Sequence, residues 1–458
     1  MKKSKILSIL IICAMALAAL APAASADGEE DFLASSVLLA ETTTGASLYE
    51  KNADMRRPPD TMVKIMTLLL AAEAVESGAV SRSERVTASE SAFFDITEKS
   101  ETRGITAGEA MPFFDLMVCA YVGGGNEACN IIAERVSGSV AAFVEMMNER
   151  ADELGCADTN FTNPHGQQDK SQYTTARDLF FMAQEAARNP VFTEVAASAE
   201  RAVAATNASD ARSVVNSNYM LNPTRERYYY KYAIFGKVSA TYESGYGCLE
   251  YSERDGLSTI AVLLGSSAIT TDDGTIMQNL TEAKRLLEWG GKNYAWTKVL
   301  SSSTLVERAE VEYGDGADFV NLHPDRDVTL LLPSKMAEGE IVREIRVYSA
   351  DAGTPLTAPV RAGDELGEIT LSRDGRVIAR ARLLADTTVG LLRAKYIKQQ
   401  IFGMLKSRAA KWILISLVAL FVLYGAIVVR YQILRARHMK KVKAAKRKII
   451  DERRNGGE

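Results

Sequence analysis

Histidine and cysteine are scarce in this chain, with three histidines and five cysteines among 458 residues. Four of the cysteines, Cys119, Cys129, Cys156 and Cys248, lie in the body of the chain, none of them in a close pair or beside a histidine. Zinc and other transition metals need clustered nitrogen and sulfur ligands. The sequence therefore predicts no metal site and no cofactor. It indicates buried, apolar cysteines and does not indicate a disulfide.

The N-terminal segment has the composition of an export signal. Lys2, Lys3 and Lys5 precede an apolar run that is followed by Ala24-Ser25-Ala26. A charged start, an apolar stretch and small residues, in that order, are typical of a secretory signal peptide. We predict that residues 1–26 are such a signal and that the protein is exported across a bacterial-type membrane.

A second apolar segment lies near the other end of the chain. Trp412 to Val429 contains no charged residue. As a helix it would span about 27 Å, which is enough for a hydrocarbon core of about 30 Å. We therefore predict one transmembrane helix over residues 412–429, followed by a basic tail over 430–458. The positive-inside rule predicts that this tail is cytoplasmic and that the rest of the mature chain lies outside.

Charge is unevenly distributed along the chain. The formal net charge is −4 although both ends are basic, so the segment between them is strongly acidic. An acidic ectodomain is a poor binder of nucleic acid. The basic tail could be interpreted as a nucleic-acid patch, but its place beside a spanning helix favours an interaction with the membrane surface.

Residues 389–411 form a third segment with a membrane signature. Apolar residues such as Leu392, Tyr396 and Ile401 are interspersed with basic residues such as Arg393 and Lys398. This pattern predicts a basic amphipathic helix that lies on the outer membrane surface. A simple linker helix is the alternative interpretation.

The remaining ectodomain is too long for one ordinary core, and its composition changes near residue 300. The first part, 27–295, begins and ends with short apolar runs and has long helical patterns between them, at 62–77, 111–137, 139–154 and 175–188. Strands, then helices, then strands predict an α+β domain with a helical subdomain. The second part, 300–388, has alternating segments at 305–311, 327–332, 341–349, 365–372 and 376–384. Separated by turn signals, these predict a small β-sandwich.

The stretch from Arg56 to Thr67 contains the most informative chemistry. Two prolines and an aspartate mark a helix start, so Thr61 is expected in the first turn, with Lys64 on the same face. A hydroxyl at a helix N-terminus, with an amine one turn away, can act as a nucleophile if the lysine is desolvated enough to serve as its base. The spacing alone is weak evidence, because Thr281 and Lys284 repeat it in another helix.

The surrounding residues make the chain resemble a known family. The matching segments are Leu48-Tyr49-Glu50-Lys51-Asn52-Ala53-Asp54, Arg57-Pro58-Pro59, Gly125-Asn126-Glu127-Ala128-Cys129, Phe161-Thr162-Asn163-Pro164-His165-Gly166 and Tyr173-Thr174-Thr175-Ala176-Arg177-Asp178-Leu179. With them the chain is similar to the low-molecular-mass penicillin-binding D-alanyl-D-alanine carboxypeptidases, serine enzymes marked by Ser-x-x-Lys, Ser-x-Asn and Lys-Thr-Gly. The resemblance implies a transpeptidase-like domain of the β-lactamase type, with an antiparallel sheet and a helical subdomain. It also implies action on peptidoglycan stem peptides through an acyl-enzyme, and binding of β-lactams.

All three signatures depart from the family pattern. Thr61 stands in place of the nucleophilic serine, Gly124-Gly125-Asn126 in place of Ser-Gly-Asn, and Lys237-Val238-Ser239 in place of Lys-Thr-Gly. The threonine methyl stiffens the side chain and crowds the attacked carbonyl. Gly124 lacks the hydroxyl that would relay a proton, and Val238 lacks the hydroxyl that would hold the terminal carboxylate of a substrate. Ser-x-x-Lys occurs nowhere else in the chain.

These departures leave two hypotheses. In the first, Thr61 and Lys64 are the catalytic residues of an impaired carboxypeptidase, and the substrate contacts Gly124, Asn126, Lys237, Val238 and Ser239. In the second, the chain is a non-catalytic scaffold that binds wall peptides or a partner in the cell envelope. His165 and Asn163 are interpreted as parts of a structural turn in both.

Overall fold

A computed structural model describes residues 31–455 except 242, 243, 272, 273 and 338. The predicted signal peptide lies outside the described residues. The described chain divides into two compact units. The first ends at Thr297 and includes Leu330–Ala337, and the second comprises Lys298–Thr329 and the chain from Glu338 onward. The domain boundaries given above stay predictions.

A five-stranded antiparallel sheet forms the centre of the first unit. Its strands follow the order Ser47–Lys51, Ser36–Glu41, Leu257–Ser266, Gly245–Arg254 and Ala233–Thr241. Successive side chains of a strand point to opposite faces of the sheet. In the strand Ser36–Glu41, Leu38 packs into one apolar core and Leu39 into another. The strand is therefore buried throughout, because helices cover the sheet on both faces.

Helices of the first unit pack on both sides of this sheet. The longer ones are Val63–Glu76, Phe113–Tyr121, Asn126–Ser137, Val140–Glu153, Ala176–Arg188 and Gln278–Asn293. The last contributes apolar residues to one core, and the others contribute to the second. Short helices occur at Asp60–Met62, Ser91–Phe93, Pro190–Ala196 and Tyr219–Leu221. Two-stranded ribbons pair Arg85–Thr87 with Ala110–Pro112, Glu200–Val203 with Arg212–Val215, and Ala268–Thr271 with Gly274–Met277.

One helix prediction was wrong. The pattern over 111–137 predicted a continuous helix, but the chain leaves the helix after Tyr121 and begins a new one at Asn126. Three successive glycines interrupt it, and Gly124 has a positive φ of 75°. This conformation is open to glycine and disfavoured for residues with a side chain. The break places the start of the second helix beside the candidate site.

The second unit is rich in β-structure, as the sequence predicts. A six-stranded sheet follows the order Val342–Val347, Glu365–Arg373, Arg376–Ala385, Phe319–Pro324, Glu307–Glu312 and Leu356–Thr357. Two further strands of this unit are Gly314–Asp315 and Gly390–Leu391, and one helical turn spans Tyr348–Asp351. The strands Tyr294–Leu300 and Val328–Pro333 each contain residues of both units. Each of the five alternating segments identified in the sequence overlaps a strand of the six-stranded sheet or the strand Val328–Pro333.

Two helices follow the β-structure. Arg393–Lys406 coincides with the predicted amphipathic segment and is separated at Ser407 from a long helix, Arg408–Asn455. Within the described part of the chain, the long helix alone is long and apolar enough to cross a membrane. The predicted span is contained in it, and the basic residues that follow continue the same helix.

Candidate active site

Thr61 lies just before the N-terminus of the helix Val63–Glu76 in the first unit. Pro58 and Pro59 lead into a single helical turn, Asp60–Met62, which continues directly as the helix Val63–Glu76. Thr61 is half-buried, and its Oγ1 donates a hydrogen bond of 2.8 Å to the backbone oxygen of Val238. The candidate nucleophile is therefore held against the edge strand Ala233–Thr241 of the sheet.

Lys64 is buried one turn further along the helix, with 1% of its surface exposed. Its Nζ donates hydrogen bonds to Asn126 Oδ1 at 2.9 Å and to the backbone oxygen of His165 at 2.6 Å. Within the described residues, both the ammonium and the hydroxyl of Thr61 thus bond to other partners and not to each other. A proton transfer between them needs the Thr61 side chain to leave the Val238 oxygen.

The loop Phe161–Gly166 contacts the N-terminal part of the helix Val63–Glu76. Asn163 Oδ1 accepts a hydrogen bond of 2.7 Å from the Gly166 backbone N–H, which fixes a tight turn. Thr67 Oγ1 donates to the Pro164 oxygen at 2.5 Å. The His165 ring lies 2.8 Å from Asp95 Oδ2. Burial lowers the pKa of this histidine, and the contacts fit the structural turn predicted from the sequence.

Gly166 allows the loop to approach the helix entrance closely. It has a positive φ of 90°, and a Cβ built on it would lie 2.0 Å from the backbone oxygen of Asp60. Asp60 itself is buried with a positive φ of 49°, and burial raises the pKa of its carboxyl. The backbone that leads into Thr61 is thus packed closely against Gly166.

Gly124 and Asn126 lie at the start of the helix Asn126–Ser137. The backbone N–H of Asn126 donates to the backbone oxygen of Glu101 at 2.8 Å, and its buried side chain reaches Lys64. The carboxylate of Glu101 lies directly against Gly124. Asn126 therefore contacts the candidate base, whereas position 124 faces an acidic side chain from a distant part of the chain.

Lys237 lies on the edge strand and is 2% exposed. Its Nζ donates to the backbone oxygen of Tyr121 at 2.5 Å, at the C-terminal end of the helix Phe113–Tyr121, and lies 4.9 Å from the centre of the Tyr121 ring. A helix C-terminus stabilises a cation. Burial, followed by repulsion from Lys64, nevertheless lowers the pKa of Lys237 to about 8.

The two residues after Lys237 point in different directions. Val238 packs its side chain with Cys248 in the apolar core on the side of the helix Gln278–Asn293, so it contacts the site through its backbone oxygen. Ser239 is buried, and its Oγ would be 2.6 Å from a Cβ on Gly247 of the neighbouring strand.

Sequence analysis missed two contacts in this site. The backbone oxygen of His165 accepts from the candidate base, although the histidine was predicted to be structural only. Glu101 was not identified, because no motif in its own neighbourhood marks it. All four described cysteines are buried and free, as the sequence indicates. The described residues contain no cluster of three or more His, Cys, Asp or Glu side chains that could hold a metal ion.

Comparison with known proteins places this site in a family context. Residues 22–268 match a family of D-alanyl-D-alanine carboxypeptidases, and residues 294–390 match the C-terminal domain of penicillin-binding protein 5. The D-alanyl-D-alanine carboxypeptidase DacF of Bacillus subtilis is 29% identical over 388 residues, which cover 83% of this chain and 93% of that one. DacA of Escherichia coli is 25% identical over 355 residues, covering 77% and 82% of the two chains.

A solved structure supports the same relationship. Penicillin-binding protein 5 from Haemophilus influenzae superposes with a TM-score of 0.58 at 26% identity, covering 80% of this chain and 100% of that one. The first family match spans more than half of the chain and contains every site residue described above. It follows that this chain is a member of the low-molecular-mass penicillin-binding D-alanyl-D-alanine carboxypeptidase family.

Proposed function

We propose that this chain is a membrane-anchored, extracytoplasmic member of its family that binds the D-Ala-D-Ala end of peptidoglycan stem peptides and hydrolyses it slowly through Thr61. The observation that supports this most directly is the survival of the two buried lysines. Lys64 and Lys237 are almost fully buried, and each donates hydrogen bonds to neighbouring oxygens of the site. Burying two cations is costly, so a groove without use for them would have little reason to retain them.

The proposed reaction is acyl transfer to Thr61. Its Oγ1 attacks the carbonyl of the penultimate D-alanine, and Lys64 Nζ accepts the hydroxyl proton as the general base. The C–N bond of the terminal peptide then breaks, the proton passes to the departing amine, and free D-alanine leaves. Water attacks the ester at Thr61 and releases the shortened stem peptide. Backbone N–H groups stabilise the oxyanion of both steps, and Asn126 and Lys237 position the substrate.

Two features account for slow turnover. The Thr61 hydroxyl donates to the Val238 oxygen, and its branched Cβ limits the rotation that would turn it toward Lys64. The hydroxyl that would relay the proton is absent at Gly124. Each loss removes transition-state stabilisation, although the effects of groups that act together are not additive.

A non-catalytic scaffold is the second candidate function. The contacts of Thr61 and Lys64 favour it, because the two side chains form hydrogen bonds with other residues and not with each other. In this case the groove retains stem peptides, or a partner in the cell envelope, without cleaving them. Substitution Thr61→Ala would then leave the cellular function intact at normal protein levels.

Substitution Thr61→Ser tests the enzymatic proposal. Serine lacks the methyl and can rotate away from the Val238 oxygen, so we expect penicillin adducts to form at least about tenfold faster, equivalent to a barrier lower by about 1.4 kcal/mol. Intact-mass spectrometry of the full chain in detergent, incubated with benzylpenicillin, measures the adduct, and release of D-alanine from a stem-peptide mimic measures turnover. Thr61→Ala is the matched control. If neither the native chain nor the serine variant forms an adduct or releases D-alanine, only the scaffold hypothesis remains.

The charge of Lys237 gives a pH-dependent prediction. Its pKa in the folded protein is lowered to about 8, so the side chain is cationic below that pH and becomes neutral above it. We expect the affinity for a stem peptide that ends in a carboxylate to fall as pH rises from 7 to 9, by up to about tenfold per unit above the pKa. Calorimetric titration of the Thr61→Ala chain measures this. The Lys237→Met variant should bind this peptide more weakly at pH 7, and its affinity should no longer change near pH 8. If the same pH dependence persists in this variant, another titrating group causes it.

A further inference from the structure

The second unit contains an open groove between two strands of its six-stranded sheet. The groove has a volume of about 500 Å³ and is lined by residues of the strands Glu307–Glu312 and Val342–Val347. These strands lie near opposite ends of the strand order. The helical turn Tyr348–Asp351 and the segment Gly353–Leu356 line its other sides. All of these residues belong to the second unit, so the groove is a feature of that unit alone.

The strand Glu307–Glu312 has a partly free edge in this groove. On one side it pairs with the strand Phe319–Pro324. On the other side, in the part of the chain that the structure describes, the short strand Leu356–Thr357 pairs with only its last two residues. Pro355 directly precedes that short strand and has no N–H to donate. The segment Gly353–Pro355 therefore does not continue the ladder and instead lines the groove.

Two residues of this free edge direct their backbone groups into the groove. The N–H of Val311 donates to the backbone oxygen of Asp318 at 2.8 Å, on the paired side. Hydrogen-bonding groups of successive residues in a strand point to alternate sides, so those of Arg308 and Glu310 point to the groove side. The N–H of Arg308 donates to Glu307 Oε1 at 2.9 Å, a side-chain acceptor in place of a strand. The edge can therefore pair with an added strand.

The groove has an apolar wall that an added strand could cover. Ala309, Ile345, Val347 and Leu356 line it. Ile345 is 40% exposed, whereas Ala309 and Leu332 of the same β-structure are nearly fully buried. Covering apolar surface of this kind is favourable at about 25 cal/mol per Å². The wall therefore favours an occupant with apolar side chains.

The unpaired charges of the groove are negative. Asp351 forms an ion pair with Arg346, and the guanidinium of Arg308 lies 4.9 Å from the centre of a phenylalanine ring. Glu307 and Glu310 line the groove without an ion pair to any residue in the described ranges. An occupant with basic side chains next to its apolar ones would complement these two carboxylates.

We propose that this groove is a docking site for a protein partner, which adds an extended segment of alternating apolar and basic residues as a strand along Glu307–Glu310. Strand addition is a common mode of peptide recognition, in which main-chain hydrogen bonds provide affinity and alternate side chains provide specificity. The apolar side chains of the segment pack on Ile345 and Val347, and its basic side chains contact Glu307 and Glu310. The site is independent of Thr61 and goes beyond the proposed action on wall peptides.

The probe is a capped, fluorescein-labelled hexapeptide of alternating valine and lysine, which has the proposed charge and a high strand propensity. Fluorescence anisotropy measures its binding to the full chain in a non-ionic detergent at pH 7, and we expect saturable binding. A peptide with proline in place of valine keeps the charge but lacks half of the N–H donors. A peptide with glutamate in place of lysine reverses the charge. Neither should bind.

Variants of the chain locate the binding site. Ile345→Arg and Glu310→Lys should each weaken binding by about tenfold, the scale of one lost apolar contact or one reversed charge pair. Val377→Arg and Glu344→Lys are the matched controls, because these exposed residues lie on strands of the same sheet and are not among those that line the groove. They should bind the peptide like the native chain. Thermal unfolding should be alike in all four variants, since every substituted side chain is exposed.

Several results would overturn the proposal. Equal weakening by the groove and control substitutions would mean that net charge alone attracts the peptide, and equal binding of the proline peptide would exclude strand addition. Absence of binding by the native chain would exclude the proposed partner chemistry. A dimer in sedimentation velocity that Ile345→Arg abolishes would assign the groove to a second copy of the chain. None of these results bears on acylation of Thr61, so the two proposals are tested separately.

Discussion

Substitution Gly166→Ala should lower the free energy of unfolding by about 4 kcal/mol, the sum of backbone strain and overpacking at about 1–3 kcal/mol each. The new Cβ would lie 2.0 Å from the backbone oxygen of Asp60 and 3.1 Å from the backbone nitrogen of Thr61. A clash with backbone atoms cannot be relieved by rotating a side chain. The loop or the helix entrance must move, and with it the hydroxyl of Thr61.

Gly155 provides the matched control for this substitution. It has a positive φ of 79°, similar to that of Gly166, but nothing lies within 4 Å of a Cβ built on it. Gly155→Ala should therefore lower stability by the left-handed backbone penalty alone, about 1–2 kcal/mol. Urea unfolding of the full chain in detergent, followed by circular dichroism, compares the two. Equal losses would mean that the loop does not pack against the helix entrance as described.

Truncation of the C-terminal helices should move the protein from the membrane to the soluble fraction in two steps. The full chain is expected to resist extraction by alkaline carbonate, because it contains the apolar segment Trp412–Val429. A chain that ends at Ser407 keeps only the basic amphipathic helix Arg393–Lys406, whose membrane binding depends partly on charge, so high salt should release it. A chain that ends at Leu391 should be soluble. Fractionation of a bacterial host that exports each chain measures the distribution.

A full-length chain with two substitutions tests whether the helix anchors the protein through its apolar composition and not through its length alone. Leu417→Arg together with Leu420→Arg leaves the helix equally long but places two charges near its centre, at a cost of about 5–7 kcal/mol for insertion. We expect this variant to behave like the chain that ends at Ser407. Retention in carbonate would instead indicate that the helix does not anchor the protein by crossing the bilayer.

The altered signatures are easier to understand from their neighbours than from the motifs alone. Gly124 removes a hydroxyl, but it also makes room for the carboxylate of Glu101. Val238 removes a second hydroxyl, yet its side chain contributes to an apolar core and its backbone oxygen holds Thr61. These positions are therefore adapted to this chain's own packing, and restoring a family residue at one of them need not restore the family's chemistry.

The secondary structure and the family of this protein could be predicted from the sequence. The helical pattern over 62–77 coincides with the helix Val63–Glu76, and the pattern over 376–384 with the strand Arg376–Ala385. The family motifs were recognisable because they are contiguous. The main local error, a continuous helix over 111–137, arose where hydrophobic periodicity continued through three glycines that break the helix.

The contacts of the candidate site were decided by the tertiary structure. Thr61 bonds to a residue 177 positions away, and Lys64 to one 101 positions away. Neither the acceptor of the Thr61 hydroxyl nor the position of the Glu101 carboxylate has a local sequence signal. Periodicity and turn residues act over a few positions and so determine the elements and the motifs within them. Which atoms meet in the groove depends on how the sheet, the helices and the loops pack, because close packing brings together side chains that are remote in the chain.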